Sequence, residues 1–106
     1  MVKKMYFDNL KKNQSYTDKI KVTDMSIKKF ASASGDKNPI HLNETFAKNT
    51  IFKSRIAHGM LIASFISSVI GNKFPGNGTI YVSQDLKFRR PVKINDIVKV
   101  KILVEK

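Results

Sequence analysis

The sequence contains no cysteine. Disulfides and thiolate metal centres are excluded with it, and nothing in the composition asks for an oxidising compartment. It also lacks a long apolar run: the longest, residues 60–70, is broken by Ser64, Ser67 and Ser68. That is far short of the roughly 20 residues that span a bilayer, so the stretch reads as a core helix. The first ten residues are basic but lack the apolar segment and small-residue cleavage site of an export signal. A cytoplasmic protein with no membrane partner is the expectation. Acidic residues are scarce as well, 8 Asp and Glu against 20 Lys and Arg.

What is present is a 106-residue chain, 42% hydrophobic, with a formal charge of +12. The length suits a single domain over residues 1–106 with one core. The charge suits a polyanionic partner such as nucleic acid, an acidic membrane face or a phosphorylated cofactor. Its distribution argues for a solvated lysine surface instead. The basic residues are spread along the chain without an Arg-rich arm, and only Arg55, Arg89 and Arg90 offer bidentate forks. With neither aromatic interleaving nor a recognition motif, a nucleic-acid partner is not expected.

Residues 1–13 form a lead-in whose Tyr6, Phe7 and Leu10 pack on the core. Tyr16, Ile20 and Val22 alternate with Lys19 and Lys21, the period-two pattern of a half-buried strand over residues 15–22, with Asp18 as the exception. Thr23 and Asp24 offer N-caps for a helix over residues 25–33 that buries Met25, Ile27, Phe30 and Ala31. Gly35 closes that helix, and Pro39 forces Asn38 out of the α region, so Asp36 to His41 should be a non-helical turn. Asn43 caps a short helix, a loop follows over 49–57, and residues 60–71 are apolar on almost every side, which predicts a buried central helix. Turns at Phe74-Pro75-Gly76-Asn77-Gly78 and at residues 91–96 flank an alternating stretch, 79–90, expected as a long strand. Residues 97–104 predict a further one.

The chemistry concentrates in Gly35-Asp36-Lys37-Asn38-Pro39-Ile40-His41. A carboxylate and an imidazole five positions apart can move protons near neutral pH, and loops with costly Gly and Asn-Pro choices are where function tends to sit. Downstream, Gly59 begins the central helix, and a helix-start N–H can face developing negative charge. The preceding His58 reads equally as a base or as a capping and packing residue, with the structural role favoured. No metal is expected, because His41 and His58 are the only imidazoles and form no H-E-x-x-H pattern. The cluster Lys87, Arg89 and Arg90 either meets phosphates or blunts a sheet edge.

Phe30-Ala31-Ser32-Ala33-Ser34-Gly35-Asp36-Lys37-Asn38-Pro39-Ile40-His41, with Ala47 six positions on, resembles the signature of the MaoC-like (R)-specific enoyl-CoA hydratases. Ile56-Ala57-His58-Gly59-Met60, Thr79-Ile80-Tyr81, Gln84-Asp85-Leu86-Lys87-Phe88 and Pro91-Val92 resemble the family's later segments, so the likeness covers most of the chain. It departs at Asn95-Asp96, where the family usually has Gly-Asp. The resemblance implies an α+β hotdog fold, a long central helix wrapped by an antiparallel sheet, here short of about two C-terminal strands. It implies reversible hydration of trans-2-enoyl-CoA to (R)-3-hydroxyacyl-CoA, with an acyl-CoA thioester as partner, no cofactor, and a homodimer or higher homo-oligomer. Asp36, His41 and Gly59 would be catalytic, and Asn38, Ser67 and Ile70 would bind substrate. A non-catalytic acyl-CoA-binding hotdog, or a subunit of a larger assembly, is the alternative.

Overall fold

The computed structural model describes residues 10–105; the expected packing of Tyr6 and Phe7 lies outside these. Two compact units are distinguished: one comprises the chain up to Ile20, Ala63–Leu86 and the part from Lys99 on, the other Lys21–Ile62 and Lys87–Val98.

Strand β1, Ser15–Lys21, alternates exposed and half-buried residues as its sequence pattern demands. Asp18 falls on the inward side with Tyr16 and Ile20, and the anomaly is resolved by an ion pair with Lys73. Helix α1, Asp24–Ser34, starts at Thr23, whose Oγ1 accepts from the Ser26 N–H at 3.0 Å while Ser26 Oγ accepts from the Thr23 N–H at 3.1 Å. This reciprocal box satisfies two orphan donors. The helix buries Ile27 and Ala31; Met25, expected inside, is 65% exposed because it sits in the first turn on the outer face. Gly35 ends it at φ 81°, the left-handed conformation that favours glycine.

The turn expected at residues 36–41 is corrected in part. Asn38 is non-helical as the pre-proline rule requires, but Pro39 opens a short helix, α2, Pro39–Leu42. Proline is at home in that first position, where its missing N–H would have had no acceptor. Asn38 Oδ1 caps the helix by accepting from the Ile40 N–H at 3.1 Å. Helix α3, Glu44–Lys48, follows at once, capped by Asn43 as expected.

Helix α4, Gly59–Asn72, matches its expected span. Its burial does not: Leu61, Ala63 and Val69 are buried, whereas Met60, Ser67 and Ser68 are exposed. An apolar sequence marks what a helix can bury, and a two-stranded sheet cannot encircle one. The long strand expected at 79–90 is absent among the described residues, and Ile80 and Val82 are 83% and 95% exposed. Alternation supplies a face, but a strand needs a partner ladder, and these residues have none.

Strand β2, Ile97–Leu103, pairs with β1, the sole neighbour in the sheet among the described residues. Hydrogen bonds from the Val22 N–H to the Asp96 carbonyl and from the Val104 N–H to the Gln14 carbonyl, 2.8 and 2.9 Å, make the pair antiparallel. Asn95 takes φ 75° in the turn before β2. Asparagine tolerates that conformation, which accounts for its standing where the resembled family has glycine. No helix among the described residues is long and apolar enough to cross a membrane.

Candidate active site

The segment between α1 and α4 builds one cluster. Asp36 follows the α1 cap and is exposed; its N–H donates to Ser34 Oγ at 3.1 Å, and its Oδ1 accepts a long 3.4 Å bond from the Asn38 N–H. His41 is placed by α2, half-buried, with Nδ1 2.8 Å from the Ile56 carbonyl oxygen. A carbonyl only accepts, so Nδ1 carries the proton and the neutral ring's lone pair is at Nε2. The backbone that supplies this carbonyl is itself held: the Ile56 N–H donates to Ile40, the Ala57 N–H donates to Val92, and Ile56 bridges to Lys93.

Two residues that the sequence reading left outside the catalytic set complete the cluster. His58, favoured as a packing residue, does pack, being 2% exposed and lying 4.9 Å from Phe30 between ring centroids. It is also inside the site. Its Nε2 donates to the Asp36 carbonyl at 2.9 Å, and its ring stacks on His41 at 3.9 Å and 26°. By the same logic its lone pair is at Nδ1, which is buried with no hydrogen-bond partner. Arg55 donates through Nε to the His41 carbonyl and through Nη2 to Asp24 Oδ1, both at 2.7 Å, tying α2 to α1. An arginine in a chain whose other basic residues are mostly lysine was the available signal. The Asp24 carboxyl is held below its ordinary range by hydrogen bonds from Lys28 and Arg55.

Asp36, His41 and His58 thus present ligand-type atoms within 4.8 Å of one another. Two imidazoles and a carboxylate can in principle take a divalent cation. Stacking of the two rings at 3.9 Å and 26° does not by itself converge them on a shared ion. The arrangement instead suits proton transfer at an exposed carboxylate beside an oriented imidazole.

Gly59 follows His58 directly and opens α4, where a first-turn N–H has no intrahelical acceptor. It borders a cavity of about 420 Å³ with an apolar floor of Phe52, Ile56, Ile62 and Val92. The Phe88 ring lies so close that a Cβ on Gly59 would stand 3.0 Å from Cδ1 and Cε1. Asn38 is exposed and serves as the α2 cap. Ser67 and Ile70 lie two to three turns further along α4; Ser67 is exposed, and Ile70 lines a separate cavity with Ile80, Tyr81 and Val82.

The family described as the MaoC-like domain matches residues 7–106. Among curated relatives, an (R)-specific enoyl-CoA hydratase of Rhodospirillum rubrum is 48% identical over 99 residues, covering 93% of this chain and 69% of its own. A 3-hydroxybutyryl-CoA dehydratase of Methylorubrum extorquens is 46% identical over 100 residues, covering 94% and 64%. Among solved structures, the unliganded R-hydratase PhaJ1 of Pseudomonas aeruginosa superimposes with a TM-score of 0.93 at 41% identity, covering 97% of this chain and 66% of that one. The chain therefore spans about two thirds of the length of the proteins it matches.

Proposed function

Given that the chain belongs to the MaoC-like domain family and has the hotdog fold of its hydratase neighbours, we propose that it is a hydro-lyase adding water reversibly to trans-2-enoyl-CoA. The product is an (R)-3-hydroxyacyl-CoA. The observation that carries this reading is the orientation of His41: the Ile56 carbonyl holds Nδ1–H at 2.8 Å, leaving Nε2 as a base beside the Asp36 carboxylate.

In this mechanism Asp36 and His41 hold one water between them. Nε2 removes a proton, the oxygen adds to C3, and the C2–C3 electron pair moves through the thioester to its carbonyl oxygen. The Gly59 N–H donates to that oxygen, whose charge develops only as C3 is attacked. The proton then goes to C2, so the elements of water are added and the site returns to its starting state. His58 is a positioning residue that keeps the Asp36 backbone and the His41 ring plane in place. Asn38 fixes the turn between Asp36 and His41. A homodimer or higher homo-oligomer, working in the cytoplasm on acyl-CoA esters, is part of the same reading.

The test is a spectrophotometric hydration assay with crotonyl-CoA, chiral analysis of the 3-hydroxybutyryl product, and a solution mass measured alongside. Asp36→Asn and His41→Ala should each lower kcat by about 10²–10⁴-fold, the usual contribution of positioned acid-base groups. Binding of crotonyl-CoA without turnover by folded wild type would refute the enzymatic reading in favour of a binding protein.

A further inference from the structure

Helix α2, which carries His41, is a single turn of four residues. A helix that short has too few bonds of its own to fix its direction, so its orientation is set by what holds it from outside. Two consecutive residues of the loop before α4 hold it. The Ile56 N–H donates to the Ile40 carbonyl at 3.3 Å, and the Ile56 carbonyl accepts from His41 Nδ1 at 2.8 Å. Arg55 supplies the third and charge-assisted bond, from Nε to the His41 carbonyl at 2.7 Å. In the last turn of a helix such a carbonyl has no intrahelical donor, so a side chain must supply one. The side chain that does so is only 12% exposed, whereas Arg89 and Arg90 stand in solvent.

Asp24 anchors the guanidinium. Its Oδ1 accepts from Arg55 Nη2 at 2.7 Å, and it sits in the first turn of α1, directly after the Thr23 cap. The chain thereby closes a frame around the site. Helix α1 leads from Asp24 to Gly35 and Asp36, α2 carries His41, and Arg55 returns from the His41 carbonyl to Asp24. A tie that served stability alone could engage any exposed carbonyl of α2; this one takes the carbonyl of the residue that bears the base. Lys28 binds the other Asp24 oxygen at 2.9 Å from within α1, so that ion pair joins one helix to itself and bridges nothing. We infer that Arg55, anchored by Asp24, is a positioning residue that fixes the angle of α2 and so keeps His41 Nε2 beside the Asp36 carboxylate. This rests on the hydration reading and adds to it a pair of residues that touches neither the water nor the substrate of that mechanism.

The experiment measures crotonyl-CoA hydration by Arg55→Ala, Arg55→Lys, Asp24→Asn and Lys28→Met. Arg55→Ala should lower kcat by about ten- to a hundredfold, the cost of a small misplacement of a reacting group, with KM changed by less than about twofold. Arg55→Lys should be intermediate, because an ammonium reaches the carbonyl or the carboxylate but lacks the fork that spans both. Methylguanidinium, added far below denaturing concentration, should restore part of the kcat of Arg55→Ala but not that of Arg55→Ala/Asp24→Asn, which lacks the anchor. A general loss of stability would not be repaired in this way. Asp24→Asn should lower kcat several-fold and Lys28→Met should leave it unchanged, a comparison that stands even if Arg55→Ala does not fold. Exchange of the His41 Nδ1–H with water, followed by NMR, reports the same contact without turnover and should be faster in Arg55→Lys than in the wild type. An unchanged kcat in folded Arg55→Ala, a loss carried by KM, absence of rescue, or equal losses in Asp24→Asn and Lys28→Met overturns the assignment. Failure of the wild type to hydrate crotonyl-CoA defeats the hydration reading instead; the proton exchange then decides on Arg55, faster exchange in the variant supporting its hold on His41 and equal exchange overturning it.

Discussion

Gly59→Ala tests the proposed role of the cavity beside the start of α4 at a point of close packing. Alanine keeps the backbone N–H, so the proposed donor to the thioester oxygen is not removed. What is added is a Cβ that would stand 3.0 Å from Cδ1 and Cε1 of Phe88 and 3.2 Å from Cγ. Carbon atoms at their best separation are about 3.5–4.0 Å apart, so the ring must retreat by roughly half an ångström or more. Overpacking of this kind costs about 1–3 kcal/mol in a closed core. Phe88 is 59% exposed and can swing outward, which places the cost in the lower half of that range. If the displaced ring intrudes where the thioester must lie, about 1–2 kcal/mol appears as a loss of roughly 5- to 30-fold in kcat/KM. The thermal midpoint should move little, since Gly to Ala near a helix start offsets part of the cost. The decisive assay is a double-mutant cycle for crotonyl-CoA hydration. Phe88→Ala in the Gly59→Ala background should restore activity to within about threefold of Phe88→Ala alone, because contacting residues couple. Losses that simply multiply, or a silent Gly59→Ala, would refute the argument that the close approach of ring and glycine shapes the site.

His58→Phe should preserve ring stacking on His41 while deleting the Nε2–H donated to the Asp36 carbonyl; kcat is expected to fall by about tenfold or more with KM little changed, as for a lost positioning contact, and full activity would remove His58 from the site. Exhaustive treatment with a chelator should leave the hydration rate unchanged, whereas loss restored by a divalent cation would make Asp36, His41 and His58 a metal centre. Asp24 lies below its ordinary 3.8 through hydrogen bonds from Lys28 and Arg55; a lowered folded-state pKa stabilises the fold above the unfolded value, and that contribution is lost as pH falls through the folded one. The acid side of a thermal-midpoint profile should therefore flatten in Asp24→Asn. Asp18 is lowered and Lys73 raised above 10.5 by their mutual contact, so Lys73→Met should weaken the fold at neutral pH and abolish the part of the alkaline loss that sets in as Lys73 deprotonates.

Features decided within a few residues were legible in the sequence. The alternation around Tyr16 and Ile20 gave β1, and Thr23, Gly35 and Asn43 set helix ends through their own side chains or conformational freedom. Asp36 and His41 stood out because a glycine and an Asn-Pro turn hold them five residues apart. Features decided by distant partners were not legible. The alternation of 79–90 equals that of β2, yet only β2 finds a strand to pair with among the described residues. Met60 and Ser67 belong to an apolar helix but face outward. Pro39 was read correctly for its effect on Asn38 and incompletely for its fitness as the first residue of α2, since the two effects of proline act on opposite sides of one peptide bond.

The placement of protons in the site has the same non-local origin and bears directly on mechanism. His41 and His58 have their tautomers set by main-chain carbonyls, those of Ile56 and Asp36. Among the described residues no carboxylate hydrogen-bonds to either ring. In hydrolytic triads an acidic partner behind the imidazole stabilises the cation through a long-lived intermediate. A carbonyl orients the ring equally well but stabilises its cation less, because it carries only a partial charge. An imidazole so placed is suited to hold a proton briefly and pass it on. Water addition across an enoyl thioester makes that demand: the proton taken from water is needed again at C2 as soon as the C3–O bond has formed. The one full negative charge in the cluster is the exposed Asp36 carboxylate, on the side open to water. It can offset the transient cation without sitting behind the ring, which explains why the acid of this pair lies on the loop before α2 rather than in the core beneath it.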